Sequence, residues 1–240
     1  MRNKKIKKGF DQLSLIYDWI SRLIFGRQLI VAQDYFTDRI KEGSSILIVG
    51  GGTGKSLSAI FKHHSLSKIT FLDISSGMLA KAKEHVIKYH GELFGKIRFI
   101  EGTYEHLPKT ETYNVIITPF FLDCLDDKVL GDTLTVLHGR LENNGQWLFT
   151  DFNVPPKPVF IKWFSKGIIL LFYSFFNIFC KLGIFRLPEF SKHFSRLFDQ
   201  PQETHYFLRG LLVTQLYIKS APLKSQGYKE KLKDHSSLNQ

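Results

Sequence analysis

Residues 46–57 read Ile-Leu-Ile-Val-Gly-Gly-Gly-Thr-Gly-Lys-Ser-Leu, an apolar run that stops in four glycines among five residues. Such a run is a buried strand, and the glycines turn it into a helix. Glycine takes positive φ without a Cβ clash and lets a ligand come close to the backbone, while the helix that follows aims free N–H groups at it. Three loop grammars compete, and spacing separates them. A Walker A loop needs glycine five places before the Gly54-Lys55-Ser56 triplet, where Val49 stands. The dinucleotide pattern G-x-G-x-x-G started at Gly50 needs glycine where Lys55 stands. Gly50-x-Gly52-x-Gly54 remains, with a ligand-free Gly-rich turn as the plain alternative.

Composition bounds the rest. A length of 240 residues suits one α/β domain with a full core, and 43% apolar with 23% charged residues is ordinary for a globular chain. The two cysteines, Cys124 and Cys180, have no paired spacing and no accompanying histidine cluster. A disulfide framework is thereby excluded, and no metal centre is expected. The basic N-terminus is broken by Asp11 and Asp18 and has no small-residue cleavage site, so no signal peptide is expected and a cytoplasmic location is. A net charge of +11 suits nucleic acid or an anionic membrane, but much of it sits at the two ends.

Taken in order, residues 9–27 place Phe10, Leu13, Ile16, Tyr17 and Ile20 at helical spacing, and a second helix is expected over 29–40. Together residues 1–42 form an N-terminal helical cap. After the glycine loop and a helix over 55–64, the strand 68–73 ends in Asp73, 23 residues beyond Gly50. In nucleoside-binding α/β folds an acid at this distance accepts hydrogen bonds from ribose hydroxyls. Asp73 could instead cap the next helix, a role Ser75 or Ser76 can fill. Further strands are expected at 97–101, at 113 onward with Pro119 breaking the ladder, and after the Asn144-Gly145 turn, with a helix over 126–140 before that turn. Strands alternating with helices make a parallel sheet. Pro155, Pro156 and Pro158 stiffen a connector to an apolar helical insertion (155–200), then a short helix over 189–198. Two β-rich runs (205–208 and 211–218) about Gly210 form an antiparallel edge hairpin, and residues 221–240 are a polar tail.

Several of these stretches resemble one family. The Gly50-x-Gly52-x-Gly54 loop resembles motif I of class I S-adenosylmethionine-dependent methyltransferases. Residues 73–79 (Asp-Ile-Ser-Ser-Gly-Met-Leu) look like its D-x-S-x-x-M-L signature, and Gly102-Thr103-Tyr104-Glu105-His106-Leu107-Pro108 is similar to its G-D-A-x-x-L-P stretch, with Thr103 in place of the aspartate. The pair Tyr17-Asp18 followed by Phe25-Gly26 is similar to the leader of the quinone-biosynthesis branch, whose helix closes over the cofactor. The resemblance implies a Rossmann-like seven-stranded, mostly parallel sheet in the order 3-2-1-4-5-7-6, its last strand antiparallel. It also implies S-adenosylmethionine bound by Gly50, Gly51, Gly52, Thr53, Gly54, Asp73, Ile74, Met78, Gly102, Thr103, Thr118 and Pro119. Ile74 and Met78 would flank the adenine, although without the resemblance Met78 reads as core.

Methyl transfer from a sulfonium needs an acceptor aligned in a dry pocket, and a dedicated base is optional. Candidates for the acceptor pocket are Tyr17, Phe121, Asp123, Asp151 and Trp163, with His205 an ordinary strand residue by default. Residues 167–180 carry no charge, about 21 Å of helix at 1.5 Å per residue, short of a ~30 Å hydrocarbon core. Because this stretch is apolar nearly all round, something must cover its second face. Three options stand: the N-terminal helix, a lipophilic acceptor delivered at a membrane surface, or a second copy in a homodimer. The expected reaction is methyl transfer to a small hydrophobic or aromatic acceptor. A non-catalytic methyltransferase-like partner protein is the alternative; an RNA methyltransferase ranks lower, since no nucleic-acid-binding module is visible and no nucleic-acid partner is expected.

Overall fold

The computed structural model describes residues 2–13, 17–64, 67–155, 158–180, 183–184 and 186–221, without the side chains of 2–5, 13, 17–20 and 179. The polar tail beyond 221 and Pro156 lie outside the described residues.

The apolar run before the glycines forms the central strand β1 (Ser45–Val49). Parallel to it run β2 (Lys68–Asp73), β3 (Ile97–Glu101), β4 (Tyr113–Pro119) and β5 (Leu141–Phe152). The hairpin of β6 (Glu203–Phe207) and β7 (Leu212–Ile218) closes one edge, β7 being antiparallel to β5 and β6. The strand order is β3-β2-β1-β4-β5-β7-β6, as the sequence resemblance implies.

Strand alternation sorts the core into two layers. Leu47, Val49, Ile116, Trp147 and Phe149 pack on one face with α6 (Asp127–Arg140) and α8 (Phe190–Phe194). Ile46, Ile48, Val115, Ile117 and Leu148 pack on the other, with α4 (Ser56–His63) and α5 (Ser76–His90). A third cluster sits where Phe152 of β5 pairs with Leu212 of β7, at the carboxyl end of the parallel strands.

That third cluster is helical. The helix expected over 9–27 is described in two stretches, α1 (Arg2–Leu13), which starts within the basic residues, and α2 (Tyr17–Phe25), with 14–16 outside the described residues. Tertiary contact explains why so charged a segment is helical. Ile6 and Phe10 of α1 pack against α7 (Val159–Cys180), with Phe10 and Phe176 rings 5.9 Å apart. The expected helix over 29–40 is shorter, α3 (Gln28–Asp34), followed by a tight turn (Thr37–Arg39) where the Thr37 hydroxyl donates to the Asp34 carbonyl.

Helix α7 has 22 residues, longer than its uncharged stretch, and Val159–Ile178 is long and apolar enough, by length and composition alone, to cross a membrane. Here it splits into two faces. Ile169, Phe172, Tyr173, Phe176 and Cys180, at helical spacing, are buried against Phe25, Phe152 and α1. Each fully buried aromatic contributes roughly 1.5–3 kcal/mol. Phe160, Trp163, Phe164, Leu170, Leu171 and Ile178 form the outer face and are exposed. Asn177 ends the helix by accepting from the Gly183 N–H at 2.8 Å and donating to the Ile184 carbonyl at 2.6 Å.

Candidate cofactor and acceptor site

The glycine loop follows β1 directly. Gly50, Gly52 and Gly54 have φ of +68°, +58° and +76°, the left-handed region where a side chain is strained. Their surroundings differ. A Cβ on Gly54 would lie 2.8 Å from the Ala82 side chain, so this glycine lets α4 approach α5. A Cβ on Gly50 would strike Phe121, whereas one on Gly52 would meet nothing within 4 Å. Gly52 therefore opens onto free space, the place for a ligand against bare backbone.

Asp73 faces that space from the end of β2. It is buried, and its carboxylate accepts from the N–H groups of Gly52 (3.1 Å) and Ser75 (2.9 Å). Burial pushes its pKa up to about 6 against those hydrogen bonds. The capping alternative fails, because the Ser75 hydroxyl caps α5 by accepting from the Met78 N–H. Sequence reading missed Asp11 of α1, which accepts from the Ser75 and Ser76 hydroxyls and the Gly77 N–H at 2.7, 3.3 and 2.9 Å. Burial raises the Asp11 pKa, but these bonds outweigh it and hold the carboxyl below its usual range. An anion at the α5 N-terminus thus straps α1 beside Asp73, and Lys7 pairs with Glu101 at the end of β3.

A cavity of about 330 Å³ runs from here into the helical cluster. At one end it is lined by Gly50, Gly52, Asp73, Ile74, Met78, Gly102 and Thr103, at the other by Phe120, Phe121, Asp123, Phe152, Phe172, Tyr173 and Phe176. Thr103 caps the turn Tyr104–His106, its own N–H held by His106 Nδ1 at 3.2 Å. Gly51, Thr53 and Pro119 line a second cavity of about 350 Å³, which also contains Gly50, Gly52 and Phe120.

Other expected site residues lie elsewhere. Thr118 is buried and accepts from the Trp147 indole N–H at 3.0 Å, lining neither cavity, because strand alternation turns it to the opposite face from Pro119. Trp163 is 68% exposed on the outer face of α7. His205 stacks on Tyr35 at 4.3 Å. The side chain of Tyr17 lies outside the described residues.

Asp123 and Asp151 do come together, in unequal roles. Asp151 is completely buried and lines neither cavity; its carboxylate accepts from the N–H groups of Asp123 (3.2 Å) and Phe152 (2.8 Å), fixing the turn after β4. Asp123 lines the first cavity at its aromatic end, accepts from the Cys124 thiol at 3.4 Å, and takes the Tyr173 hydroxyl on its backbone carbonyl at 3.4 Å. Burial pushes Asp123 up to about 6, and burial together with the neighbouring Asp123 charge pushes Asp151 well above the usual carboxylate range. The turn itself is strained: Phe120, at φ +49°, sits between both cavities with its N–H on the Thr150 carbonyl. Neither that strain nor the inner face of α7 has a local sequence signal, although the Phe172/Phe176 spacing shows which residues share a face.

A family model described as a methyltransferase domain matches residues 47–147, from β1 into β5. The malonyl-[acyl-carrier protein] O-methyltransferase of Halalkalibacterium halodurans is 26% identical over 154 residues, 61% of this chain and 54% of that enzyme. Residues 47–147 are thus a methyltransferase domain by the family-model match. The chain spans about half the length of that curated relative. As a methyltransferase fold it resembles the mitomycin 7-O-methyltransferase MmcR (TM-score 0.62, 15% identity, 88% of this chain and 60% of that one). It also resembles the N-methyltransferase NodS of Bradyrhizobium japonicum in complex with S-adenosylhomocysteine (TM-score 0.57, 12% identity, 82% and 89%). S-adenosylmethionine is the cofactor the domain implies, and the open backbone at Gly52 beside a buried carboxylate fits a nucleoside.

Proposed function

We propose that this methyltransferase moves the methyl group of S-adenosylmethionine to a small lipophilic, aromatic acceptor held at the Phe120/Phe152/Phe172/Phe176 end of the first cavity. The observation that carries the reading is the continuity of that cavity: a polar end at Asp73 and an aromatic end share one space. Asp73 would hold the ribose hydroxyls, Ile74 and Met78 the adenine faces, and the backbone of Gly50 to Gly54 the rest. The bound cofactor supplies an already activated methyl group. The chain's own contribution is to align the acceptor and keep water out, which the aromatic wall does. Asp123 stands at that end as proton acceptor for a hydroxyl. The malonyl-[acyl-carrier protein] O-methyltransferase relative supports an oxygen acceptor.

The exposed stripe of α7, with Lys162 and Lys166 on the same helix, supports a second element of the reading, a cytoplasmic enzyme resting on an anionic membrane from which its acceptor enters. Pairing of two copies through the stripe is the competing use of that face. The deciding experiment is incubation with labelled cofactor and a lipid extract of the native cell. A labelled lipophilic product is expected, and label only in polar acceptors or RNA would overturn the reading.

A further inference from the structure

The aromatic end of the first cavity holds a small polar island made by Asp123, Cys124 and Tyr173, and none of the described residues lining the cavity is cationic. Asp123 and Tyr173 are both 2% exposed, and they reach the cavity from different elements, the turn after β4 and the inner face of α7. The Tyr173 hydroxyl lies 3.4 Å from the Asp123 backbone carbonyl, longer than the ~2.8 Å an O–H donor prefers, and it also hydrogen-bonds the Asp123 carboxyl. A donor stretched in this way loses little by turning to a ligand. Burial and the neighbouring acids keep the Tyr173 phenol protonated, so this group donates. Asp123, pushed up only to about 6, is ionised at neutral pH and accepts. The Cys124 thiol, 3.4 Å from the carboxylate, is the weaker donor beside it.

A donor and an acceptor side by side in an otherwise apolar pocket fit one group that both donates and accepts, which is a hydroxyl. A carboxylate brings no proton for Asp123 and sets a second negative charge beside it, with the buried Asp151 holding the Asp123 N–H from behind.

We propose that Asp123 and Tyr173 form a two-point clamp on a single hydroxyl of the acceptor, so that the site selects a phenol and turns away an aromatic carboxylate. Tyr173 is then a substrate-binding residue, and α7 takes part in recognition as well as walling the cavity. This rests on the lipophilic, aromatic acceptor proposed above and specifies the polar group it carries.

The test is a calorimetric series on the full chain saturated with S-adenosylhomocysteine, using 4-methylphenol, 4-methylanisole, toluene and 4-methylbenzoate as probes. The phenol is expected to bind about tenfold more tightly than toluene, the scale of one hydrogen bond to a charged group. The anisole, which keeps the oxygen but has no O–H, should lose that advantage, and the benzoate should bind most weakly. Tyr173→Phe keeps the ring and removes only the hydroxyl. It should cut the phenol advantage about fivefold, the scale of one neutral hydrogen bond, and leave toluene unchanged. In Asp123→Asn, which removes the charge at nearly the same shape, the benzoate should gain on toluene.

A phenol that binds no better than toluene would overturn the clamp and leave the lipophilic reading standing. So would benzoate binding above the phenol, or an unchanged phenol advantage in Tyr173→Phe. Binding of S-adenosylhomocysteine with none of the four aromatic probes would overturn both.

Discussion

The two ends of the cavity that runs from Asp73 to Phe176 are built by different means. At the cofactor end the ligand-facing groups are backbone N–H groups and one carboxylate placed by β1, β2 and the glycine loop, held by a sheet buried on both faces. At the acceptor end they are side chains carried by α1, α7 and the turn after β4. The first end follows from chain direction and hydrogen bonding, which leave little freedom. The second depends on which side chains two helices present to each other, so it can vary without disturbing the first.

The largest separation of the two ends should come from Gly52→Val. A β-branched residue at φ +58° is strained by about 1–3 kcal/mol, and its side chain enters the open space at the cofactor end. S-adenosylhomocysteine binding should vanish while circular dichroism still reports the sheet; retained binding would break the contrast. Phe176→Ala should act in the opposite sense, lowering unfolding free energy by about 3–5 kcal/mol through the lost helical cluster. The affinity of the folded fraction for S-adenosylhomocysteine should not change. Urea melts with and without ligand separate the two effects.

Asp73→Ala should weaken S-adenosylhomocysteine by ~1.5–3 kcal/mol, the range for a hydrogen bond to a charged group. The pH dependence sharpens this. The folded Asp73 pKa, about 6, stands above its ordinary value of 3.8. The protonated form therefore favours the ligand-free fold, and the stability it adds is fully present below 3.8 and lost as pH rises through about 6. Cofactor affinity should move the other way, strengthening over the same window as the carboxylate becomes the better acceptor. In Asp73→Asn both slopes should flatten. The smallest stability effect is expected from Phe160→Ser/Phe164→Ser on the outer face of α7, within about 0.5 kcal/mol. Flotation with anionic vesicles should nevertheless fall sharply, and unchanged flotation would leave that stripe to a second copy of the chain.

The same contrast decides what could be read from the sequence. The glycine loop and the Ser75 cap were legible because short-range rules fix them, an apolar run ending in glycine and a serine before a helix, whereas the strand order came from the family resemblance. Thr118 was misplaced by one step of the strand period, since proximity along the chain to Pro119 says nothing of which face a side chain takes. Trp163 was misplaced because α7 is apolar on both faces, so its composition gives no inward direction. Asp11 went unread: its role arises only where α1 docks on the strand ends, a contact made across more than 60 residues between Asp11 and Ser75.

Calorimetric titration of the purified chain with S-adenosylhomocysteine, NAD and ATP tests the cofactor end most directly. One S-adenosylhomocysteine per chain, weakened in Asp73→Ala and lost in Gly52→Val, is the expected result. Binding of NAD or ATP with no S-adenosylhomocysteine binding at millimolar concentration would contradict it.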